Sequence, residues 1–411
     1  MKRCRCLKIV MLPALTAAAI AASGTTLAAE NATSTDIQNL QQQIDQLKQQ
    51  IKLNEQKTSA ANHKAEAANT AAMAAENADI KWRVTGSVVA NYMNSDMKGA
   101  PNTYTGGSFM PIFLVRYKDL LELESHLEFA NNGSETESSL EYSQLDIFAT
   151  DWATIVAGKF LSPMGQFQQS FHPPWINKLP DRPAGFAEDG GAEPLSDVGV
   201  QVRGAVGLTQ NASINYAVYS GNGPQLTSDG LSLEGFSQDN NSNKALGGRV
   251  GLRLLPYINV GMSGMEATVN GLDDAATSAD YSMFGADFSV IAGALDVKGE
   301  VIDSKLTSAY ISNTQQVPET RWNLWYAQAA YRLSGITDNV IVGNVEPVIR
   351  YGRFRIKGGA DDWHTNAERR TTVGVDYWFG PTMVAKLAAE RRLYDNKPDI
   401  NVYRVQVAFG F

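Results

Sequence analysis

Beyond its sixth residue the chain contains no cysteine; Cys4 and Cys6 are the only two among 411 residues. That excludes a disulfide scaffold, a cysteine nucleophile and a cysteine metal site. Charge is also scarce, 19% against about 25% in ordinary soluble domains. Past the N-terminus no apolar run approaches the ~20 residues of a membrane helix, yet mean hydropathy is only −0.23. The four histidines, His63, His126, His172 and His364, lack partners at metal-ligand spacing. Gly261–Met265 (GMSGM) lacks the spacing of a nucleophile elbow. Neither a nucleotide-binding loop nor a basic-aromatic pattern for nucleic acid is present. No enzyme activity, cofactor, metal or nucleic-acid partner is therefore expected.

The N-terminus reads as an export signal. Lys2, Arg3, Arg5 and Lys8 precede an apolar stretch, Ile9–Ala22, too short to span a bilayer comfortably. Thr26 and Ala28 supply small residues at a cleavage site, so residues 1–28 are expected to be removed. Residues 29–80 then follow a different rule. Ile37, Leu40, Ile44, Leu47 and Ile51 recur at 3-4 spacing, the seam of a coiled coil, before an Ala-rich helix former at Ser59–Ala78. By itself this Ile/Leu seam leans toward a dimer.

From Trp82 the period becomes two. Leu121, Leu123, Leu127 and Phe129 alternate with Glu122, Glu124, His126 and Glu128, so one face must meet water. Comparable segments begin near 82, 109, 120, 140, 154, 197, 212, 245, 258, 279, 294, 321, 344, 369, 383 and 401, sixteen in all. Their connections alternate short and long. The fold expected over 81–411 is all-β, a sixteen-stranded antiparallel transmembrane β-barrel whose helical arm lies in the periplasm. Tyr117, Trp152, Tyr257, Tyr331, Tyr377, Trp378 and Phe379 sit beside short turns and read as an interfacial girdle.

With the apolar set of each strand assigned to lipid, the alternates face the lumen. Arg116, Lys159, Arg203, Arg249, Arg253, Arg350, Arg370, Lys386, Arg392 and Arg404 are then expected to line the pore and favour anions. A bulge at Arg350–Lys357 would turn Arg353 and Arg355 inward instead. Residues 340–411 carry eleven Lys/Arg against eight Asp/Glu, and residues 81–200 eight against fifteen, so one wall is basic and another acidic. The connection 162–196 is far longer than usual and carries Phe167, Phe171, Trp175 and Phe186. Such residues fit a segment folded into the barrel, with Lys178, Arg182, Glu188 and Asp189 at a constriction. An ordered extracellular cap is the alternative.

Gly158–Phe167 (GKFLSPMGQF), His172–Pro183 (HPPWINKLPDRP), the heptad arm, the strand count and the terminal Phe411 resemble the phosphate-selective and dicarboxylate-type porins of Gram-negative outer membranes. The resemblance covers the whole mature chain. It implies an outer-membrane homotrimer that passes small hydrophilic, preferentially anionic solutes, in contact with outer-membrane lipids. It also implies that Phe411 is the C-terminal aromatic read by the outer-membrane assembly machinery. The third long loop departs from phosphate-selective members, with Lys178 and Arg182 against Asp181, Glu188, Asp189 and Glu193. Two rivals differ in class: a tether or adhesin whose barrel only anchors the arm, and an outer-membrane enzyme.

Overall fold

The computed structural model describes residues 34–411 apart from 77–78, 101, 133–134, 187–191, 193, 228–229, 256, 272–277, 311, 313–314 and 360–366. The signal segment 1–28, the loop acids Glu188 and Asp189, and His364 lie outside the described residues. The chain divides into two compact units, one ending at Asn77 and one spanning Ala78–Phe411.

Among the described residues the first unit is one helix, α1, over Ser34–Glu76. It contains neither Gly nor Pro, the residues that break helices. Its seam residues Leu47 and Ile51 are 58% and 57% exposed. An apolar stripe left in water is characteristic of a helix that pairs with another chain.

The second unit is a closed antiparallel barrel of sixteen strands. They are β1 (Ile80–Ser95), β2 (Thr103–Tyr117), β3 (Leu121–Asn132), β4 (Glu135–Thr150), β5 (Ala153–Leu161), β6 (Ser196–Thr209), β7 (Ala212–Gly221) and β8 (Ala245–Leu254). The second half comprises β9 (Ile258–Val269), β10 (Ala279–Ala292), β11 (Leu295–Leu306), β12 (Thr320–Tyr331), β13 (Val345–Lys357), β14 (Glu368–Trp378), β15 (Met383–Tyr394) and β16 (Ile400–Gly410). The expected starts of β2 and β4 fall five to six residues late, because both strands run on into polar sequence above the apolar band. Closure joins the chain's ends: β1 pairs with β16 from Ser87 opposite Gly410 to Ser95 opposite Val402. Phe411 extends the seam, its N–H donating to Gly86 O at 3.0 Å, and its ring stacks 6.0 Å from Phe109. No backbone edge is left to face lipid, as a bilayer requires.

Turns of two to four residues (118–120, 151–152, 210–211, 255–257, 293–294, 379–382) close one end of the barrel. Longer connections lie at the other, except for the short 133–134 and 395–399. One long connection, 332–344, interrupts the short-turn end with a helical turn over Val340–Gly343, capped by Asn339. On the outside, Val84, Val88, Val250, Ile349, Val373, Val375, Leu387, Val405 and Val407 are exposed, a continuous apolar surface that only lipid or another apolar face can cover. Tyr117, Trp152, Tyr257 and Phe379 are exposed at the short-turn end. Trp378 is not part of that girdle. It points inward, 6% exposed, and its Nε1 donates to Glu346 at 2.6 Å.

The apolar-outward rule fails in one sector, and the cause is the loop between β5 and β6. Val156 and Phe160 of β5, Tyr219 of β7, Ile302 of β11, Leu324 and Tyr326 of β12 and Phe354 of β13 all point inward and are buried. They form one core with Met164, Phe167 and Phe186 of that loop. Where the loop packs on the inner wall, the strands it touches need apolar residues on both faces.

Candidate functional site

Residues 162–186 fold into the lumen; they do not cap it. The descent is fixed at Gly165, whose φ of +67° suits glycine. The N–H groups of Gln166 and Phe167 donate to Glu300 Oε2 on β11 at 3.1 and 2.9 Å. A Cβ at residue 165 would lie 1.5 Å from Glu300 Oε1, so only glycine allows this approach. Phe167 and Phe186 then meet Tyr326 edge-on, with ring centroids 5.9 and 5.3 Å apart. Leu179 is buried among Ala330, Val348 and Ala388, and Trp175 packs where a side chain at Gly410 would stand. His172 reaches across to His126 on β3, ring centroids 6.4 Å apart. The loop therefore crosses the lumen.

Two polar clusters bind the loop to the wall. The lower one lies toward the short-turn end. Lys178 Nζ stands 3.0 Å from Glu346 and 3.8 Å from Asp296, above the face of Trp378. Lys298 pairs with Asp296 at 3.1 Å and sits over the Phe171 ring. Lys386 on β15 donates to the carbonyls of Pro174 and Asn177. The upper cluster centres on Asp181. Its Oδ2 accepts from Arg370 at 3.0 Å, Arg392 at 2.5 Å and Arg404 at 3.3 Å. Arg350 donates to Asp181 O and Asn177 Oδ1, both at 2.7 Å. Glu368 pairs with Arg370, and Glu390 with Arg392 at 2.5 Å. Four guanidinium groups thus converge on three carboxylates, one of them carried by the loop. Burial alone would raise the Asp181 carboxyl, but Arg370, Arg404, Arg392 and Arg350 together hold it well below the usual carboxylate range. Burial, with Arg182 adding to it, pushes the His172 imidazole down to about 3, so that ring is neutral at ordinary pH.

The expected pore-lining residues separate into three groups. Arg116, Arg203, Arg249, Arg253, Arg392 and Arg404 lie on the inner face. Arg116 stands 3.8 Å from Glu122, Arg203 2.5 Å from Asp146 and Arg249 2.6 Å from Asp287. Arg350, Arg370 and Lys386 also point inward but are buried at 3%, 8% and 1% exposure. They hold the loop and do not present free charge to water. Lys159 is on the outer face, contrary to expectation. It registers with Ser143 and Val198, and its Nζ donates to Leu140 O at 2.8 Å. Its parity inverts because its neighbours Val156 and Phe160 turn inward under the loop. The β12–β13 register is unbroken, so Arg353 and Arg355 stay outside and no bulge occurs. Of the four expected constriction residues, Lys178 and Arg182 are in the loop as described, and Lys178 is a wall anchor. Asp181 enters the sequence reading only as one of four loop acids, and Glu300 and Glu346 not at all, yet these three organise the site. Asp296, Lys298 and Glu300 alternate along β11, a legible row of inward charge. Among the described residues no group of His, Cys, Asp or Glu is placed to hold a metal ion.

The barrel shares its fold with solved outer-membrane porins. An anion-selective porin from Comamonas acidovorans aligns at 12% identity and TM-score 0.55, covering 81% of this chain and 100% of that one. The outer-membrane channel DcaP of Acinetobacter baumannii aligns at 13% and 0.53, covering 82% and 98%. A trimer form of OmpT, an outer-membrane protein of Vibrio cholerae, aligns at 13% and 0.50, covering 81% and 100%. No protein-family model matches the sequence, and no curated protein matches it.

Proposed function

We propose that this chain forms a water-filled outer-membrane channel for passive diffusion of small hydrophilic solutes, with a modest preference for anions. The observation that carries this reading is the Asp181 cluster. Arg392 and Arg404 keep 17% and 23% side-chain exposure within the lumen, and Asp181 keeps 26%. A carboxylate already sits among these guanidinium groups, in the geometry an anionic solute would use. Near a low-dielectric wall such groups attract small anions and repel cations. Small carboxylates match this arrangement directly; phosphate is the second candidate of the same charge. The anion-selective neighbour from Comamonas acidovorans is in keeping with this reading.

The assembled state is a homotrimer with the arm on the periplasmic side. Two features support self-association. The seam of α1 is exposed at Leu47 and Ile51. On the outer wall, Ser125 and Ser143 share a 2.7 Å hydrogen bond, and Lys159 registers beside Ser143, a polar row unsuited to lipid. A second copy covering β3–β5 would remove it from lipid. That same exposed seam leaves room for a second role, in which the arm tethers the pore to a periplasmic partner. The test of the channel is reversal potential across a planar bilayer in a salt gradient. Arg392→Ala, which removes a guanidinium group in contact with lumen water, is expected to weaken the anion preference, and clear cation selectivity in the unmodified protein would defeat the reading.

A further inference from the structure

The outer wall carries a second charged feature that the pore does not use. On β13, Arg353, Arg355 and Lys357 occupy successive outward positions, while Phe354 and Ile356 between them are buried inward. Across the β13–β14 ladder, Arg353 stands directly opposite Arg369. Across the β12–β13 ladder, Lys357 stands directly opposite Arg321. Like charges facing each other on a ladder are mutually unfavourable. Arg321 is offset by Glu319 at 3.0 Å, which also takes Lys305 at 2.8 Å. Among the described residues no carboxylate pairs with Arg353, Arg355, Lys357 or Arg369. The other outward acid nearby, Asp303, faces Asn323. Among the described residues, Nε of Arg353 is buried without a hydrogen-bond partner. Buried donors in folded proteins are nearly always satisfied, so this one marks a missing acceptor.

Height on the barrel decides what that acceptor is. The patch lies toward the long-loop end, where β13 and β14 approach their connection. Just below it, Tyr351 meets the Trp325 ring at 5.5 Å, an aromatic pair of the kind found at a membrane boundary. Below that pair come exposed Ile349, Val373, Val375 and Leu387, the apolar band itself. Arg353, level with Trp325, is the lowest of the four cations, and Arg355 and Lys357 rise from it into the headgroup zone. From Arg353 to Lys357 the strand rises about 13 Å, longer than one phosphate and matched to a headgroup bearing two.

We propose that Arg353, Arg355, Lys357 and Arg369 form a docking site for the phosphate groups of an anionic phosphorylated lipid in the outer leaflet. Guanidinium groups bind phosphate oxygens in bidentate fashion, and two opposed arginines gripping one phosphate turn a repulsive pair into an attractive triad. The apolar band beneath receives the acyl chains. The proposal rests on the outer-membrane placement given above.

The test uses the full-length protein in neutral detergent, titrated with bis-phosphorylated lipid A. The parallel arms are the same lipid after enzymatic dephosphorylation, phosphatidylcholine, and inorganic phosphate. Bound lipid is counted by native mass spectrometry, and the thermal unfolding midpoint is followed. Lipid A is expected to stay bound and raise the midpoint, and the other three to do neither. Arg353→Ser with Arg369→Ser should weaken lipid A binding at least ten-fold, whereas Lys159→Gln, outside the patch, should not change it. Equal binding by the double variant overturns the proposal. So does equal binding of the dephosphorylated lipid, and a response to inorganic phosphate alone would make this an anion site with no lipid component. Heat-modifiable migration checks that the variants fold, and bilayer conductance on the same preparations tests the pore separately.

Discussion

Asp181 offers one carboxylate oxygen to three guanidinium groups, and the proposed anion preference turns on that balance. Asp181→Asn would leave Arg370, Arg392 and Arg404 in place and remove the loop's own negative charge. One unit charge about 4 Å away in a high-dielectric channel is worth about 1 kcal/mol, or about five-fold in a permeability ratio. The variant is therefore expected to raise anion preference by about that factor, read as a shift in reversal potential. Its carboxyl is held below the ordinary range, so the stabilisation it gives the loop is complete above the unfolded value and fades only in strong acid. Selectivity should stay flat from pH 8 to pH 5; a change across that interval would show that some other group controls the pore. His172 acts with the same sign in a higher pH window. Its folded value near 3 lies below the ordinary 6.5, so the unfolded chain binds a proton that the folded site refuses. Stability should fall as pH drops from 6.5 toward 3, and His172→Gln should reduce that slope in an acid-unfolding series. At Gly165, alanine would collide with Glu300 and must abandon a left-handed backbone. A loss of more than about 1 kcal/mol is expected in thermal unfolding, together with noisier channel current as the loop loosens.

At the scale of elements, alternation made the strands legible and the loop made part of their orientation illegible. Thirteen of the sixteen expected starts need no more than a one-residue adjustment, because an apolar stripe at every second position is enforced by lipid on one side. The terminal YRVQVAFGF reads directly as a closing strand: Tyr403, Val405, Val407 and Phe409 are exposed outside, and Gln406 and Ala408 are buried inside. Lys159 breaks the alternation rule for the same reason in reverse. The rule assigns Phe160 to lipid, whereas Phe160 lies against Tyr219 inside the barrel. Nothing local to β5 announces that a loop thirty residues long will fill the space above it. The aromatics of 162–196 did signal an ordered segment. The tripod on Asp181 is formed by residues more than 180 positions apart, and only the closed barrel brings them together. Replacing 166–186 with a short Gly-Ser linker should enlarge single-channel conductance and abolish most selectivity, provided heat-modifiable migration shows a folded barrel. In the arm, Leu47→Cys should cross-link copies under mild oxidation if the seam is an interface between chains; an arm that never cross-links at Leu47 or Ile51 would contradict that assignment.

For the whole molecule, net charge of −8 gives no hint of anion preference. Placement does. Acids such as Glu122, Glu124 and Asp146 belong to the β3–β4 wall, whereas the arginines of β13–β16 meet the inserted loop. The buried share of that basic wall holds the loop, the wetted share borders the lumen, and the outward share lies on the opposite face of the strands. Strand parity separates the outward arginines from the inward ones, and contact with the loop separates the buried inward arginines from the wetted ones. The most direct test of the account is the reversal potential of the purified protein in a planar bilayer under a ten-fold potassium chloride gradient. The account predicts stepwise ionic conductance with a potential of the sign set by chloride, moved toward zero by Arg392→Ala and away from it by Asp181→Asn. A sealed barrel, or a potential of the sign set by potassium, would contradict it.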